Sequence, residues 1–536
     1  MDIVDSQPHS LDKVIILADQ SYDLAIVGSG ISCAYTLIHY ICLLKEKLDA
    51  KSRKLVRVAV LDKSGEFWTG IPYGSRSGKQ SLIITPLKEF LPQPERDRFI
   101  NWLEKNYTSV LLTLETRLGI LNSQWLKSYR EVMIEGNWDE LFLPRYIFGW
   151  YLKERVENLL QEAEQENYLQ CDLISADVRN INKLDGLYQI DTVQSNSLTA
   201  QKVLLAIGSP PNKAAFLDKL QVLEHSESAR NHICCIANMY EPSQDENLER
   251  VHNFLREADS ERSRQVLIIG SNASALETLY SLNNIPEMAQ LIDKFIILSP
   301  TGEFPHRITN DPPSTNYIAH NLALLIEQEH FTAKQILEAV KKDVKAALKQ
   351  NETINATYGL ISQGVINALN KLNYHEQKLF VTKYGVEIGK FQRRAGGDYL
   401  NVVDKLIFEG KVQFIKGKFT GTIPLSDGKL GFEFRINDQP KIYTSPIQAL
   451  INCAGFQDLT KSSSSLINSL IDQGICVPND SLCGFEINEN FEAHENLYLM
   501  GPLVAGNINQ KLKVWHAESC GRIFNLSYSL AEALVS

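Results

Sequence analysis

The stretch from Tyr22 to Leu44 reads YDLAIVGSGISCAYTLIHYICLL and decides the fold. An apolar strand leads into a turn that contains Gly28 and Gly30, and an apolar helix follows the turn. After the helix, a second apolar strand, VRVAVL, runs from Val56 to Leu61. The order strand, helix, strand predicts a right-handed βαβ unit in a parallel sheet.

The turn from Gly28 to Cys33 fits the pattern G-x-G-x-x-G except at its last position, where a cysteine stands. The first glycine of this pattern permits a tight turn, the second lets a pyrophosphate approach the backbone, and the third allows close helix packing. The helix N-terminus then offers N–H groups to the phosphates. Asp62 ends the next strand, where a carboxylate accepts hydrogen bonds from an adenosine ribose. Together these features predict a dinucleotide site; the alternative is a tight structural turn.

A second unit of this kind runs from Gln265 to Leu282 (QVLIIGSNASALETLYSL) and leads into the strand KFIILS. Asn272 stands in place of the second glycine, and asparagine tolerates left-handed backbone better than most residues. The strand ends at Ser299 without an acid. Because a 2′-phosphate is held by hydroxyls and cations, Ser299, His306 and Arg307 favour NADPH over NADH. The alternative is a nucleotide fold that no longer binds nicotinamide.

Two later strands end in small residues, KVLLAIG from Lys202 to Gly208 and ALINCAG from Ala449 to Gly455. Each strand lies well downstream of one glycine turn in the sequence, and we interpret it as the strand that completes the sheet of that unit. A further strand, NLYLMG, ends at Gly501, and a helix is expected from about Trp515 to Leu534. This order predicts a nested α/β architecture, in which the first unit is begun, the second is inserted, and the first is completed near the C-terminus.

Composition and charge exclude several classes of protein. The chain has 536 residues, of which 44% are hydrophobic and 22% charged, so a mainly disordered or fibrous protein is excluded. Its formal net charge of −10 disfavours a broad nucleic-acid surface. Its nine cysteines include no C-x-x-C, which argues against a zinc ribbon or a redox pair and indicates reduced thiols in a cytoplasmic protein. Residues 1–20 make a poor signal peptide, and the apolar stretch from Ile31 to Leu44 is shorter than the ~20 residues of a membrane span. We therefore expect no nucleic-acid partner, no membrane association and no metal.

Seven short segments carry a family resemblance by their order along the chain. They are Ile71-Pro72-Tyr73-Gly74, Leu143-Pro144-Arg145-Tyr146, residues 206–211 (AIGSPP), residues 298–306 (LSPTGEFPH), Gln392-Arg393-Arg394, residues 452–456 (NCAGF) and residues 499–503 (LMGPL). With the opening turn they extend from about Tyr22 to Leu534. In this order they resemble the bacterial FAD/NAD(P)-binding flavoprotein family related to flavin-dependent N-hydroxylating monooxygenases.

The resemblance implies a two-dinucleotide flavoprotein, with a Rossmann-like FAD domain, an inserted NAD(P)-binding domain and a helical insertion. The predicted domains are 20–225 (first part of the FAD-binding domain), 260–390 (NAD(P)-binding domain with a helical insertion at about 316–372) and 391–536 (completion of both domains). The predicted cofactor-binding residues are Gly28, Ser29, Gly30, Ile31, Ser32, Asp62, Lys63, Tyr73, Arg145, Ala206, Gly208, Gly270, Ser271, Asn272, Ala273, Ser299, Gly455, Gly501 and Pro502. Among these, Gly501 and Pro502 are expected near the flavin ring. Tyr73 packs either near the flavin or in the core.

Four residues are candidates for binding the substrate. Arg393 and Arg394 form a possible anion clamp for a substrate carboxylate or for the nicotinamide nucleotide, because guanidinium groups bind carboxylate or phosphate in a bidentate manner. The alternative is a solvated pair of arginines. His306 and His516 are further candidates, with a structural role as the alternative. Arg145 stands at a helix start, where a cation is unfavourable, so its partner is expected to be an FAD phosphate or a carboxylate, or else it forms a surface salt bridge.

The resemblance implies an NAD(P)H-dependent FAD monooxygenase that oxidises a small amine, amino acid or heterocycle with molecular oxygen, through a flavin C4a-hydroperoxide. Because the cofactor carries the hard chemistry, no catalytic residue can be assigned from the sequence. Three alternatives remain at this point: a flavin-dependent oxidoreductase or reductase without oxygen insertion, a flavin-dependent halogenase, and a non-catalytic flavin-binding protein. The cofactors expected are FAD and NADPH, with NADH as the alternative, and the sequence says nothing of the oligomeric state.

Overall fold

The computed structural model of the chain describes residues 21–47, 54–117, 119–212, 233–257, 263–426, 429–516 and 519–536. The stretch interpreted above as a poor signal peptide lies outside these residues, as do residues 213–225 of the first predicted domain.

The strands are numbered in chain order. They are β1 (Ser21–Val27), β2 (Val56–Asp62), β3 (Leu169–Ser175), β4 (Val178–Leu184), β5 (Leu187–Thr192), β6 (Ser197–Leu205), β7 (Cys234–Ile236), β8 (Gln265–Ile269), β9 (Lys294–Ser299), β10 (His306–Arg307), β11 (Arg394–Ala395), β12 (Val412–Lys416), β13 (Lys418–Pro424), β14 (Leu430–Ile436), β15 (Gln439–Tyr443), β16 (Ala449–Asn452), β17 (Glu492–His494), β18 (Leu497–Leu499), β19 (Asn507–Ile508) and β20 (Lys513–Val514).

The α-helices are α1 (Ile31–Lys47), α2 (Gly70–Tyr73), α3 (Leu87–Phe90), α4 (Glu95–Lys105), α5 (Tyr107–Glu115), α6 (Ile120–Ile134), α7 (Arg145–Gln165), α8 (Gln244–Glu257), α9 (Ala273–Asn284), α10 (Pro286–Leu291), α11 (His320–Glu327), α12 (Ala333–Lys349), α13 (Ile354–Lys371), α14 (Tyr374–Leu379), α15 (Gly385–Gln392), α16 (Gly397–Phe408), α17 (Ser465–Asp472) and α18 (Cys520–Val535).

The first sheet contains the first glycine turn. Its strands lie in the order β17-β18-β6-β1-β2-β3, and the antiparallel strands β5 and β4 extend it from β6. The pairings of β1 with β2 and β6, of β2 with β3 and of β18 with β6 are parallel. The strand KVLLAIG therefore lies beside the strand that carries the first glycine turn, as its sequence position predicts.

The second sheet contains the second glycine turn. It is entirely parallel, with the strand order β12-β9-β8-β16-β7. The strand β16, which includes most of ALINCAG, pairs with β8, so each late apolar strand lies next to the glycine turn that it was expected to close. Parallel strands that are buried on both faces are rich in apolar residues, which explains the continuous runs of this sheet.

The two sheets are nested in the chain. Strands β1–β6 and β17–β18 build the first sheet, and the strands of the second lie between them, from β7 to β16. The α/β architecture with an inserted second Rossmann-like unit is therefore confirmed. The second sheet begins at β7, well before the predicted boundary at residue 260, because a short strand and α8 precede β8.

The helical insertion predicted at about 316–372 contains α11, α12 and α13 and continues through α14 and α15. It has its own apolar core, which includes the buried residues Leu322, Ile336, Ile361 and Phe380. Helix α12 begins with a capping box, in which the side chains of Thr332 and Gln335 satisfy each other's backbone N–H groups. This insertion stands between β10 and β11, which pair in parallel and bring its two ends together.

The last helix, α18, packs along α1 and so covers the helix of the first glycine turn. Tyr35 and Phe524 form an edge-to-face contact between these helices, with ring centroids 5.0 Å apart. The helix was predicted from about Trp515; it begins at Cys520, and residues 517–518 lie outside the described ranges.

Within the described ranges, no helix is long and apolar enough to cross a membrane. In the same part of the chain no group of three or more His, Cys, Asp or Glu residues is arranged to hold a metal ion, and no disulfide is formed.

Candidate dinucleotide sites

Position 28 requires a glycine, because the backbone turns there with a positive φ and lies close to the end of β6. Its φ is +92°, and a Cβ at this position would lie 2.5 Å from the carbonyl oxygen of Ala206. Its N–H donates to the carbonyl oxygen of Leu61 at 2.8 Å, so the turn is tied to β2 as well as to the end of β6. Only glycine adopts this left-handed geometry without strain.

Gly30 is different, because the protein's own packing does not require a glycine there. A Cβ on Gly30 would have the Cα of Gly70 as its nearest atom, at an ordinary contact distance of 3.5 Å. In the glycine pattern this second position is the one that lets a pyrophosphate approach the backbone. A site that leaves room at Gly30 therefore fits a dinucleotide phosphate.

The segment before α2 runs along the first turn and carries buried polar atoms. A Cβ on Gly70 would lie 2.9 Å from the Cα of Gly30, so the two backbones face each other. Trp68 is fully buried with a φ of +78°, which is a strained conformation for a tryptophan. The Nε1 of Trp68 and the Oγ1 of Thr69 are buried and have no hydrogen-bond partner among the described residues. Buried polar groups are normally paired, so these atoms fit a polar ligand next to the turn.

Asp62 stabilises the first turn through hydrogen bonds. Its Oδ2 accepts hydrogen bonds from the backbone N–H and the hydroxyl of Ser29, both at 2.9 Å. Its Oδ1 accepts from the backbone N–H of Ser64 at 2.9 Å and from the hydroxyl of that serine at 2.6 Å. These four contacts occupy the acceptor positions of a carboxylate. The expected ribose contact of Asp62 stays a prediction, and the neighbouring Lys63 lies 3.9 Å from Glu241.

Gly501 lies at the start of α1. Its φ is +85°, and a Cβ there would lie 2.4 Å from the Oγ of Ser32. Pro502 follows in a short 3₁₀ turn, and Ile31 and Ser32, the first residues of α1, are buried. The predicted residues of the first turn and of the C-terminal strand therefore come together at one helix N-terminus.

Tyr73 packs in the aromatic core. Its ring lies 5.0 Å from that of Phe148 and 5.9 Å from that of Phe90, and burial raises the pKa of its hydroxyl. Of the two interpretations of Tyr73, the packing supports the core tyrosine.

Arg145 pairs with a buried carboxylate. Its two Nη atoms donate to the carboxylate of Glu277, and its Nε donates to the carbonyl oxygen of Leu82 at 2.9 Å. Glu277 is only 2% exposed and also accepts a hydrogen bond from the Tyr240 hydroxyl. Of the partners expected for Arg145, the structure shows the carboxylate, in a buried ion pair that connects the two nucleotide-type units.

The second glycine turn repeats the geometry of the first. Gly270 has a φ of +117°, and a Cβ there would lie 2.1 Å from the carbonyl oxygen of Cys453. Asn272 has a φ of −100°, so the left-handed backbone considered for it is not adopted. Its carbonyl oxygen accepts the N–H groups of Ala275 and Leu276 as α9 begins after it, at Ala273.

Hydroxyl groups line the end of β9, where no acid stands. The hydroxyls of Ser271 and Ser299 are 2.9 Å apart, and Thr301 lies 3.3 Å from Ser299. The N–H of Gly302 donates to the Oγ of Ser299 at 2.9 Å. This arrangement is typical of a site that accepts a phosphate rather than a ribose diol.

The cation at the second turn is Arg393 and not Arg307. Arg393 donates to the Oδ1 of Asn272. Arg307 instead donates to Asn401 at 2.8 Å and to Asp404 at 2.5 Å, so its predicted role in binding a phosphate is not supported. His306 lies exposed beside these arginines, since its N–H donates to the carbonyl oxygen of Arg393 at 2.8 Å.

Arg394 is not available as half of an anion clamp. Its Nη2 lies 2.7 Å from Glu89, and its guanidinium stacks on Tyr358 at 3.9 Å from the ring centroid. The side chain is 11% exposed. The two neighbouring arginines therefore have different contacts. Arg393 contacts the second glycine turn, and Arg394 connects the helical insertion to α3.

His516 is a neutral side chain at neutral pH. Burial, followed by the charges of Arg522 and Arg393, lowers its pKa to about 4. Its carbonyl oxygen accepts a hydrogen bond from Arg522 at 2.6 Å. His516 thus lies near Arg393, as two substrate candidates would, but it does not carry a positive charge for an anion.

The turns after the two closing strands meet. Ala206 is buried, and Gly208 and Gly455 have φ values of +77° and +84°. Asn212 and Phe456 form an antiparallel bridge. The ends of β6 and β16 are therefore joined, and they link the two nucleotide-type units.

Sequence reasoning missed Gly70, Trp68, Thr69 and Glu277. Glu277 could have been identified from the sequence, since it is an acid inside the apolar run ALETLYSL of a buried helix. Such an acid needs a cation, and Arg145 was already expected to have an anionic partner. The segment from Trp68 to Gly70 could not be identified from the sequence, because only the folded structure shows that it lies next to Gly30.

Residues 25–210 match a family model described as FAD-NAD(P)-binding. The first part of this chain is an FAD-NAD(P)-binding domain. The matched range includes the first glycine turn, Asp62 and the closing strand β6, and it ends at the turn that meets Phe456. The residues at Gly28, Gly30 and Gly501 fit the FAD that this family description implies.

The chain is also similar to curated proteins of mycobacteria. An uncharacterised protein of Mycobacterium tuberculosis is 29% identical over 527 residues, which cover 97% of this chain and 96% of the relative. An uncharacterised protein of Mycobacterium bovis matches to the same extent. The likeness therefore extends over both nucleotide-type units and the helical insertion.

Among solved structures, the chain is similar to FAD-bound DfoA, a cadaverine monooxygenase of the desferrioxamine biosynthetic pathway from Erwinia amylovora. The two are 12% identical, the TM-score is 0.51, and the match covers 96% of this chain and 95% of the other. The ornithine hydroxylase PvdA from Pseudomonas aeruginosa matches with a TM-score of 0.47 at 14% identity, over 96% of this chain and 100% of the other. At such identities the likeness concerns the fold.

Proposed function

We propose that the protein is an NAD(P)H-dependent FAD monooxygenase that oxidises a small amine, amino acid or heterocycle. The observation that supports this proposal is that one molecule contains two dinucleotide-type turns, one at Gly28–Gly30 and one at Gly270–Asn272. Such a pair lets a nicotinamide nucleotide reduce a flavin within one chain. The first turn lies in the FAD-NAD(P)-binding domain.

FAD, when bound, supplies the electron transfer and the oxygen chemistry. The chain's own residues bind and orient it. The N–H groups at the start of α1 would bind its phosphates, and Gly30 leaves room for them. The aromatic residues around Tyr73 exclude water from the neighbouring core.

A hydroxyl-lined second turn supports NADPH as the reductant. Ser271, Ser299 and Thr301 offer hydroxyls at the end of β9, and Arg393 adds a cation next to Asn272. A 2′-phosphate is held by groups of this kind, whereas NADH requires an acid that this strand lacks.

The cysteines argue against a disulfide reductase. Burial raises the pKa of Cys453, next to the second turn, to about 12, and it raises that of Cys476 to about 12 as well. Thiols with a raised pKa are poor nucleophiles, and the sequence contains no C-x-x-C. The likeness in fold to a cadaverine monooxygenase favours an amine as substrate.

The test is reduction and reoxidation of the FAD-loaded protein. We expect NADPH to bleach the flavin absorbance without oxygen faster than NADH does. On mixing with oxygen and a panel of amines, we expect a product that has gained one oxygen atom, detected by mass spectrometry. Reduction that yields only hydrogen peroxide with every amine would indicate a reductase or oxidase instead. A flavin that neither nucleotide bleaches would exclude the nicotinamide-dependent function.

A further inference from the structure

The exposed side of α13 (Ile354–Lys371) carries no charge over most of its length. Lys371, the last residue of the helix, is its first charged residue. The exposed side of the preceding helix α12 is charged, with Lys334, Glu338, Lys342, Lys345 and Lys349. On α13 the exposed residues before Lys371 are Gly359, Leu360, Gln363, Ile366, Asn367 and Asn370. Protein surfaces are normally rich in charged residues, whereas the centres of protein–protein interfaces are depleted of them.

The uncharged residues of α13 form one continuous face. At about 100° per residue they fall within an arc of about 120°, and Gln363 lies at its centre. Leu360 and Ile366 lie on opposite flanks of Gln363 and are 38% and 44% exposed. Gly359 lies on the same flank as Ile366, and a Cβ there would meet no atom within 4 Å. The face therefore combines exposed apolar side chains with a position that another chain can approach closely.

Helix α11 extends this face on one side. Leu322 of α11 packs on Gly364 of α13, whose Cβ would lie 3.0 Å from the leucine side chain. Leu324 of α11 is 47% exposed. With lengths of ~27 and ~12 Å and axes about 10 Å apart, the two helices present a face of roughly 400 Å² in projection. The accessible area of a ridged surface is larger, but it lies at the lower end of the range for protein interfaces, so an association through this face should be weak and reversible.

We propose that a second copy of this chain packs on this face, with the α13 helices of the two copies antiparallel about a two-fold axis at Gln363. Each copy has a formal net charge of −10, so two copies repel each other, and contact costs least where the surface carries no charge. A two-fold contact of this kind uses the same surface on both copies. The antiparallel arrangement opposes the two helix dipoles and keeps the two copies of Lys371 apart.

The two-fold axis determines which residues meet. In an antiparallel pair, each flank of one helix meets the same flank of the other copy, at positions about equally far from the axis. Ile366 then meets Gly359 of the other copy, where the missing side chain leaves room, and Leu360 meets Asn367 of the other copy. Gln363 meets its own equivalent, and two amide groups can each donate and accept a hydrogen bond. None of the residues assigned above to FAD or NADPH lies in α13, so the dimer contact does not use them.

The experiment is sedimentation velocity of the FAD-loaded full-length protein. From ~1 to ~100 μM protein we expect a reversible monomer–dimer equilibrium with a Kd on the order of 10 μM. Raising the salt from about 0.1 to about 1 M shortens the Debye length from about 10 to about 3 Å, so the repulsion between the copies falls and the Kd should fall with it. Protein that stays monomeric at ~100 μM in both salts would overturn the proposal. A Kd that rises with salt would also overturn it, because ion pairs would then hold the dimer together.

Charge substitutions test which residues meet. Leu360→Lys should raise the Kd about tenfold or more, since each dimer then buries two ammonium groups. Adding Asn367→Glu to this variant should restore most of the affinity, because each introduced lysine then faces the introduced glutamate of the other copy. Adding Asn367→Lys instead should restore none. Failure of Asn367→Glu to restore the dimer would overturn the antiparallel arrangement about Gln363.

Phe408→Lys is the matched control. Phe408 is 94% exposed at the end of α16, and its substitution changes the net charge from −10 to −9, as Leu360→Lys does. It should leave the Kd unchanged, because Phe408 lies outside the face on α13. A dimer that Phe408→Lys dissociates and Leu360→Lys does not would have its contact elsewhere, which would overturn the proposal. Thermal unfolding should be unchanged in both variants, since both side chains are exposed.

Discussion

Arg145 and Glu277 form a buried ion pair that joins the two nucleotide-type units. Arg145 is the first residue of α7, and Glu277 lies in α9, directly after the second glycine turn. Their side chains are 13% and 2% exposed, and the hydroxyl of Tyr240 also donates to Glu277. The pair therefore fixes the second turn relative to the first sheet.

We predict that breaking this pair destabilises the protein strongly. In Arg145→Met the Glu277 carboxylate stays buried without its cation, and such a loss costs about 3–5 kcal/mol. Urea unfolding of the full chain measures the change. The double variant Arg145→Met, Glu277→Leu should recover much of the loss, since no buried charge is left. Arg130→Gln, in an exposed pair, should change the free energy of unfolding by less than about 1 kcal/mol; a loss for Arg145→Met of the same small size would contradict the prediction.

The sequence was sufficient to predict the nested sheets, because their signals are local. An apolar strand, a glycine turn and an apolar helix follow each other within one stretch of chain, and Gly28 and Gly270 are each required by a neighbouring carbonyl group. The closing strands could be assigned from their small terminal residues. Their pairing with β1 and β8 follows from the general preference for compact parallel units.

The partners of side chains could not be predicted in the same way. Arg145 and Glu277 are 132 positions apart, and Arg394 and Glu89 are 305 apart, so no spacing rule connects them. Arg307 and Arg393 were equally suitable cations in the sequence, and only the position of Asp404 on α16 decides which of them is engaged elsewhere. The alternatives for Tyr73 also depended on which rings the fold brings to it.

Gly30→Ala and Gly28→Ala should separate cofactor binding from folding. At Gly30 a methyl group meets no protein atom closer than 3.5 Å, so the apoprotein should stay folded, while FAD binds about tenfold more weakly or worse because the methyl group meets its pyrophosphate. At Gly28 the methyl group would meet the Ala206 carbonyl oxygen at 2.5 Å, so the fold itself should suffer. Thermal unfolding of the apoprotein and FAD titration measure the two effects. Unchanged FAD affinity in Gly30→Ala would contradict the predicted phosphate position.

Arg393→Gln should weaken NADPH binding more than NADH binding. The guanidinium beside Asn272 is the cation that we expect to bind the 2′-phosphate, and the loss of a charged hydrogen bond raises the Kd about tenfold or more. The measurement is the concentration dependence of flavin reduction without oxygen, for both nucleotides. Arg394→Gln is the matched control: because Arg394 pairs with Glu89, it should lower stability and leave the NADPH to NADH ratio unchanged. Equal effects of Arg393→Gln on both nucleotides would exclude it from the phosphate site.

Asp398 should make the protein less stable as the pH rises from about 4 to about 6. Burial raises the pKa of this carboxyl from 3.8 to about 6, although the Tyr129 hydroxyl donates to it at 3.3 Å and Arg307 is nearby. The folded state then holds a proton that the unfolded state releases in this window, so the free energy of unfolding falls as the pH rises. Asp398→Asn removes this loss. The stability of the variant relative to the unmodified protein should increase from pH ~4 to ~6, and the difference between the two should stay constant above pH ~6. Urea unfolding across this pH range measures it, with the exposed Asp472→Asn as control. A stability difference that does not change with pH would refute the shifted pKa.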